Sequence, residues 1–254
     1  MKLRVLGCGA ASGVPHVGGN WGACDPNEPR NFRTRNCSIV ESETTRILID
    51  TGPDLRAQLL RADVRHLNAV IWTHAHADHC HGVDDLRGIY RAMGAPVRGL
   101  ARQATLDELA DRFRYVFFGR GGYPSIASLE PLPDRLMIGD IDVTVVDQPH
   151  GSITSAGLRF DCHGKSIVYS TDFNIMTDVM ASAFHGADLW AVDTLRREPH
   201  PTHPHLPQVL EWREQLGIGH TVLTHLDIYM DYRSVSNEVP DDVTVGHDGL
   251  EIAL

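Results

Sequence analysis

Apolar positions recur along this chain on two different periods. Short runs rich in β-branched residues, bounded by Gly and Asp, predict strands at 3–7 (LRVLG), 37–41 (CSIVE), 46–50 (RILID) and 69–73 (AVIWT). Between them, residues 52–63 open with Pro53 and carry helical apolar spacing, and further helices are predicted over 83–93 and 104–114. Residues 117–135 are rich in Gly and Pro and predict a long loop, of the kind that in a compact domain is functional or mobile. Strands resume at 141–148, 155–162, 166–172, 189–193 and 221–225, with helices at 177–184 and 206–216. The two halves echo each other: VIWTHAHAD in the first and TVLTHLDIY in the second each end a strand in Thr-His. This predicts an α/β (α+β) fold, a four-layer αββα sandwich with pseudo-duplicated halves, its ligands gathered where strand ends converge.

With 254 residues and no composition break, the chain reads as a single domain over 1–254. Its formal charge of −10 argues against extended nucleic-acid or anionic-membrane binding, although a metal centre can reverse the local field for a small anion. The start, MKLRVLGCGA, lacks signal-peptide architecture and no run approaches a membrane span. Five scattered cysteines without a CxxC pair favour free thiols and a cytoplasmic setting.

Histidine changes the picture, with 15 residues that are mostly clustered. His74, His76, Asp78 and His79 occupy six positions after an apolar strand. A histidine-rich surface turn is the plain alternative, but four ligand types so close serve two metals more naturally. Each ion needs further ligands, which His150, Asp172 and His225 offer, all at predicted strand ends. Two close dications repel, and a shared carboxylate offsets that repulsion while suiting Mn²⁺ as well as Zn²⁺.

The series HxHxDH, a lone His150, a strand-end Asp172 and a late His225 resembles the ligand set of the metallo-β-lactamase superfamily along essentially the whole chain. GCGAASGVP (7–15), HADHCHGVDDLR (76–87) and VGHDGLEI (245–252) resemble more particularly the PhnP-type cyclic phosphodiesterases, relatives of tRNase Z. The resemblance implies one metal on His74, His76 and His150, another on Asp78, His79 and His225, and Asp172 bridging both. It further implies a metal-dependent phosphoric diester hydrolase that attacks a small, cyclic or nucleotide-like anionic phosphodiester with a hydroxide shared by two Zn²⁺ or Mn²⁺ ions. His203, on the proline-stiffened stretch EPHPTHPH (198–205), matches the position of a general acid and is counted as catalytic together with Asp78. His205 and His247 are assigned to substrate binding, each with a plain alternative as a loop or strand-end residue.

Other readings stay open at this level. Asp193 either orients an imidazole or caps a strand; Arg30, Arg33 and Arg35 either grip a remote phosphate or are solvated. GCGAASGVP is a tight connection, or a small-residue backbone approaching the site. Some PhnP-type proteins hold an additional structural zinc near an N-terminal cysteine cluster, but this chain has only Cys24 there, so no additional structural zinc is expected and packing of Trp21 and prolines is expected to shape residues 18–30. No basic arm suggests tRNA 3′-processing. A glyoxalase II-like thioesterase, a lactonase and a tRNase Z-like nuclease are the rival activities, and a homodimer is compatible with the sequence.

Overall fold

The computed structural model describes residues 1–254. The first half builds β1 (Lys2–Gly7), β2 (Cys37–Glu41), β3 (Arg46–Ile49), β4 (Ala69–Trp72), β5 (Gly99–Ala101) and β6 (Glu130–Pro131). The second builds β7 (Arg135–Ile138), β8 (Ile141–His150), β9 (Ile153–Cys162), β10 (Lys165–Ser170), β11 (Leu189–Asp193), β12 (His220–Thr224) and β13 (Val243–Val245), and β14 (Glu251–Ala253) returns to pair with β1. The two sheets run β14-β1-β2-β3-β4-β5-β6 and β13-β12-β11-β10-β9-β8-β7. Each contains an antiparallel meander followed by parallel strands, β3 to β6 in one and β10 to β13 in the other. The pseudo-duplication read from the sequence is this shared order.

Strand alternation explains the continuous apolar runs. In β3 and β4, Ile47, Ile49 and Ile71 point into a core between the sheets. Their neighbours Leu48, Val70 and Trp72 point outward, against α1 (Leu55–Arg61), α3 (Leu86–Met93), α4 (Gln103–Arg112) and α5 (Arg114–Phe118), beyond the short α2 (Ala77–Cys80). In β10 and β11, Ile167, Tyr169 and Ala191 join the central core. Val168, Trp190 and Val192 face α6 (Asp178–Phe184), α7 (Leu206–Gln215) and α8 (Tyr232–Ser236). Parallel strands covered on both faces read as unbroken hydrophobic stretches. Three apolar cores separate four layers, αββα. No helix is long and apolar enough to cross a membrane.

The structure departs from the sequence pattern at element ends. The helix expected over 52–63 begins only at Leu55, because the Gly52 carbonyl accepts from Leu55 and Pro53 sits in the preceding turn. Within 117–135, α5 ends and β6 pairs with β5, so the expected loop is shorter. Pairing partners rather than local pattern define β5, β6 and β13, which are two or three residues long.

Phe160, fully buried between the sheets, tests this arrangement. Phe160→Ala should cost about 3–5 kcal/mol of stability in urea denaturation of the metal-loaded protein, and a loss under about 1 kcal/mol would contradict a packed central core.

Candidate metal centre

Chemistry-bearing side chains collect at the C-terminal ends of strands from both sheets. Asp50 follows β3, His74 follows β4, His150 ends β8, Asp172 follows β10, Asp193 ends β11 and His225 follows β12. Asp50, Asp172 and His225 have φ of 65°, 56° and 55°, a left-handed conformation that non-glycine residues adopt rarely and mostly where the surrounding structure enforces it. Each turns the chain sharply off its strand and keeps the side chain at the sheet end. His76, Asp78 and His79 come from the following loop and α2. That loop lies hard against the end of β3: Thr51 donates to the His79 carbonyl at 2.7 Å, and a Cβ on Gly52 would stand 2.3 Å from the Asp78 carbonyl.

Asp172 lies at the centre, 2% exposed. Its Oδ1 faces His150 Nε2 at 3.6 Å and His74 Nε2 at 3.9 Å. Its Oδ2 faces His79 Nε2 at 3.1 Å and His225 Nε2 at 3.6 Å. Asp78 Oδ2 closes the second set, 3.2 Å from His79 Nε2 and 3.6 Å from His225 Nε2. His76 completes the first set through Nδ1, 3.4 Å from His150 Nε2. The seven residues expected as metal ligands thus come together, His74, His76 and His150 on one side and Asp78, His79 and His225 on the other, with the Asp172 carboxylate facing both; Asp172 and His225 also lie close to Asp193 and His203.

The far nitrogens explain why the near ones converge. His79 Nδ1 donates to Asp50 at 2.7 Å, and His150 Nδ1 to the Thr202 carbonyl at 3.1 Å. Thr73 Oγ1 donates to Asp50 at 2.9 Å and accepts from His74 Nδ1 at 3.0 Å. An N–H committed on one side leaves a lone pair on the other, the arrangement that metal-binding histidines require. The Nε2 atoms of His74, His79 and His225 are buried and have no hydrogen-bond partner. Buried polar atoms are nearly always satisfied, so three orphaned nitrogens aimed at carboxylates fit divalent cations between them.

Electrostatics agree. Burial opposes ionisation of Asp172 and Asp78, yet the neighbouring histidines overcome it and hold both carboxyls well below the usual range. Burial and the positive field of His79 push His74 well below the ordinary imidazole value, which keeps it neutral. For His79 and His225, burial is outweighed by Asp172 and its acidic neighbours, so both rise. The cluster demands positive charge, which protons or metals can supply.

His203 stands beside this centre. Its Nδ1 donates to Asp193 Oδ2 at 2.7 Å and lies 3.8 Å from Asp172 Oδ1. Asp193 therefore orients an imidazole, and its Oδ1 also lies 3.5 Å from His225 Nδ1. A cleft of about 270 Å³ opens onto the cluster, lined by His76, Asp78, His150, Asp172, His203 and His225 together with Ala11 and Ser152. Ala11 shows that GCGAASGVP brings a small-residue backbone to the site; it is also a tight connection, with Gly9 bridged to Arg35 and Leu226.

Several expectations need correction. His205 and His247 do not line the cleft. His205 is the N-cap of α7, bridged to Arg196, and His247 packs on Tyr232 with ring centroids 6.1 Å apart. None of the three arginines lines the cleft: Arg33 is buried and donates to the Met230 carbonyl at 2.7 Å, Arg30 is exposed, pairs with Glu28 and lies over the Tyr232 ring, and Arg35 is half-buried and pairs with Asp54. Residues 18–30 are shaped by Trp21 and Cys24 against Val14 and Ile228, with the Arg33 guanidinium as an additional tie. Sequence reasoning misses Asp50, although ILID ends an apolar strand in Asp as AVD does at Asp193.

Asp50→Asn should weaken metal binding about 10–100-fold, because it removes the carboxylate that orients His79. Competition with a chromogenic chelator measures this, and unchanged affinity would show that Asp50 has no orienting role.

Residues 45–226 match the family model described as the beta-lactamase superfamily domain. A crystal structure of a new diphosphatase from the PhnP family superimposes with a TM-score of 0.90 at 31% identity, covering 99% of this chain and 96% of that one. The octanoyltransferase of Porphyromonas gingivalis is 31% identical over the whole chain, which spans about half the length of the curated relatives it matches, 52% here. Human tRNase Z, short form, shares the fold alone, with a TM-score of 0.71 at 16% identity and coverage of 100% and 99%. The family match over most of its length, together with this fold and this cluster, places the chain in the metallo-β-lactamase superfamily.

Proposed function

We propose that this chain is a dinuclear metal-dependent hydrolase of a small phosphodiester, acting as one domain. The observation that carries the reading is the position of Asp172, whose two oxygens face two separate ligand groups. His74, His76 and His150 would hold one ion, Asp78, His79 and His225 the other, with Asp172 shared. Two divalent ions so held supply Lewis acidity and make a water nucleophilic at neutral pH.

The protein's own groups do the remainder. His203 offers Nε2 to the leaving oxygen while its Nδ1–H stays on Asp193. In the protonated form it delivers the Nε2 proton as the P–O bond breaks, and the hydrogen bond to Asp193 fixes the ring's orientation. The cleft, about 270 Å³, is below the roughly 300–1,000 Å³ of common ligand pockets and favours a compact substrate such as a cyclic phosphate. The charge of −10 and the lack of a free arginine row beside the cleft count against extended nucleic acid. Five unpaired cysteines support a cytoplasmic setting.

A second reading has its own support. The relative with the TM-score of 0.90 is described as a diphosphatase, which favours a phosphoanhydride as substrate. The octanoyltransferase name assigns no activity to the half of that protein matched here. Thioesterase, lactonase and tRNA-processing activities have no such support.

Metal analysis of the purified protein should find at least two ions bound by the histidine–aspartate cluster. A fully loaded centre holding one ion, with Asp78 and His225 remote from it, contradicts the proposal. His203→Ala should keep both ions and lose about 10²–10⁴-fold in kcat on a ribosyl or alkyl phosphodiester, whose alkoxide must be protonated. On a nitrophenyl ester or a phosphoanhydride, whose leaving group needs no proton, the loss should be much smaller. Equal losses on all substrates, or loss of metal, would remove His203 from the acid role.

A further inference from the structure

Three hairpin turns meet at the end of the sandwich opposite the metal centre. Ser42–Thr45 precede β3, Asp140 precedes β8, and His163–Gly164 precede β10. Asp50, His150 and Asp172 follow the same three strands or end them. β8 has 10 residues, so Asp140 and His150 are separated by roughly 30 Å.

At this remote end, Cys162, His163 and Asp140 present ligand atoms that all lie within 4.8 Å of one another. Asp140 Oδ2 is 3.7 Å from Cys162 Sγ and 3.7 Å from His163 Nε2. Bonds of about 2.0–2.3 Å to a tetrahedral zinc put ligand atoms about 3.3–3.7 Å apart, so the triad has nearly the right dimensions. The Asp140 carboxylate is already held in one orientation, because Ser42 Oγ donates to its other oxygen, Oδ1, at 2.6 Å, as outer hydroxyls commonly do for metal-binding acids. His163 has a φ of 50° and Gly164 of 74°, a two-residue turn between the paired Cys162 and Lys165. Such turns favour Asn-Gly, and a histidine there is strained. The turn leaves the imidazole 83% exposed, beside the cysteine that precedes it.

We propose that Cys162, His163 and Asp140 form a third metal site, selective for zinc, which clips the second sheet to the first through the Ser42 hydroxyl. The fourth position belongs to water. Binding converts the Cys162 thiol to thiolate, with its proton released to solvent. Thiolate and imidazole favour Zn²⁺ over Mn²⁺, so this site and the histidine–aspartate centre differ in preference. This site runs against the expectation of no additional structural zinc, which rests only on the region of Cys24.

Cobalt distinguishes the sites, because a thiolate–Co²⁺ charge-transfer band in the near ultraviolet can arise only where cysteine is a ligand. The candidate catalytic ligands include none. Titrating the metal-free chain with Co²⁺ should produce the band, with a third equivalent bound. Cys162→Ser should abolish the band and retain hydrolysis, since the site is remote from the centre. Ser42→Ala should weaken this Co²⁺ about 10-fold by freeing the carboxylate. His163→Asn, which suits the turn and removes the imidazole, should weaken it further. Absence of the band at saturating Co²⁺, or its survival in Cys162→Ser, overturns the site.

Discussion

The structure depends on a single buried carboxylate. Asp172 sits between two groups of imidazoles, with another carboxylate, Asp78, within reach of the same nitrogens. Charges taken out of water cost several kcal/mol each unless they are compensated. Nothing apolar can replace that compensation, and the fold must bring every partner to within a few ångströms of one point. A sandwich of two sheets does this because the strands bearing the partners end together. The apolar work of folding is done elsewhere, in three cores that leave the strand ends free for polar groups.

Bringing those ends together also sets local constraints. The loop after β4 carries four of the seven ligand candidates and must lie against the end of β3. Gly82 and Gly52 permit this: a Cβ on Gly82 would stand 2.0 Å from the Gly52 carbonyl. Any side chain at Gly82 would displace the backbone carrying Asp78 and His79. The packing of the first sheet and the placement of Asp78 and His79 are therefore one constraint, expressed in a sequence spacing of 30 residues between the two glycines.

Much of this is legible in the sequence. The crowding of His74, His76, Asp78 and His79 is a local signal, and His150, Asp172 and His225 share the visible feature of ending a strand. The layers follow from unbroken apolar runs such as AVIW and LWAV, which only strands covered on both faces require. What fails is whatever depends on a partner distant in sequence. Arg33 lies 197 residues from the Met230 carbonyl it serves, so its loop composition cannot reveal its burial. His205 sits two residues from His203 but points its backbone into a helix cap, and the difference lies in tertiary contacts alone. Asp50 carries the same strand-end signal as Asp193, yet its role is hidden because it lies one hydrogen bond behind His79, a candidate ligand.

Asp193 ties the candidate metal ligands to the proposed acid. One oxygen accepts from His203 at 2.7 Å, and that same oxygen accepts the Asp172 backbone N–H at 3.0 Å. The other oxygen lies 3.5 Å from the Nδ1 of His225. A single fully buried side chain thus fixes the orientation of the proposed acid, anchors the turn that presents Asp172, and faces His225, a candidate metal ligand. Rotating Asp193 toward either histidine would weaken its hold on the other. The proposed acid and the candidate metal ligands are positioned by the same carboxylate, so their separation is set by the end of β11 as well as by the proline-stiffened loop that carries His203.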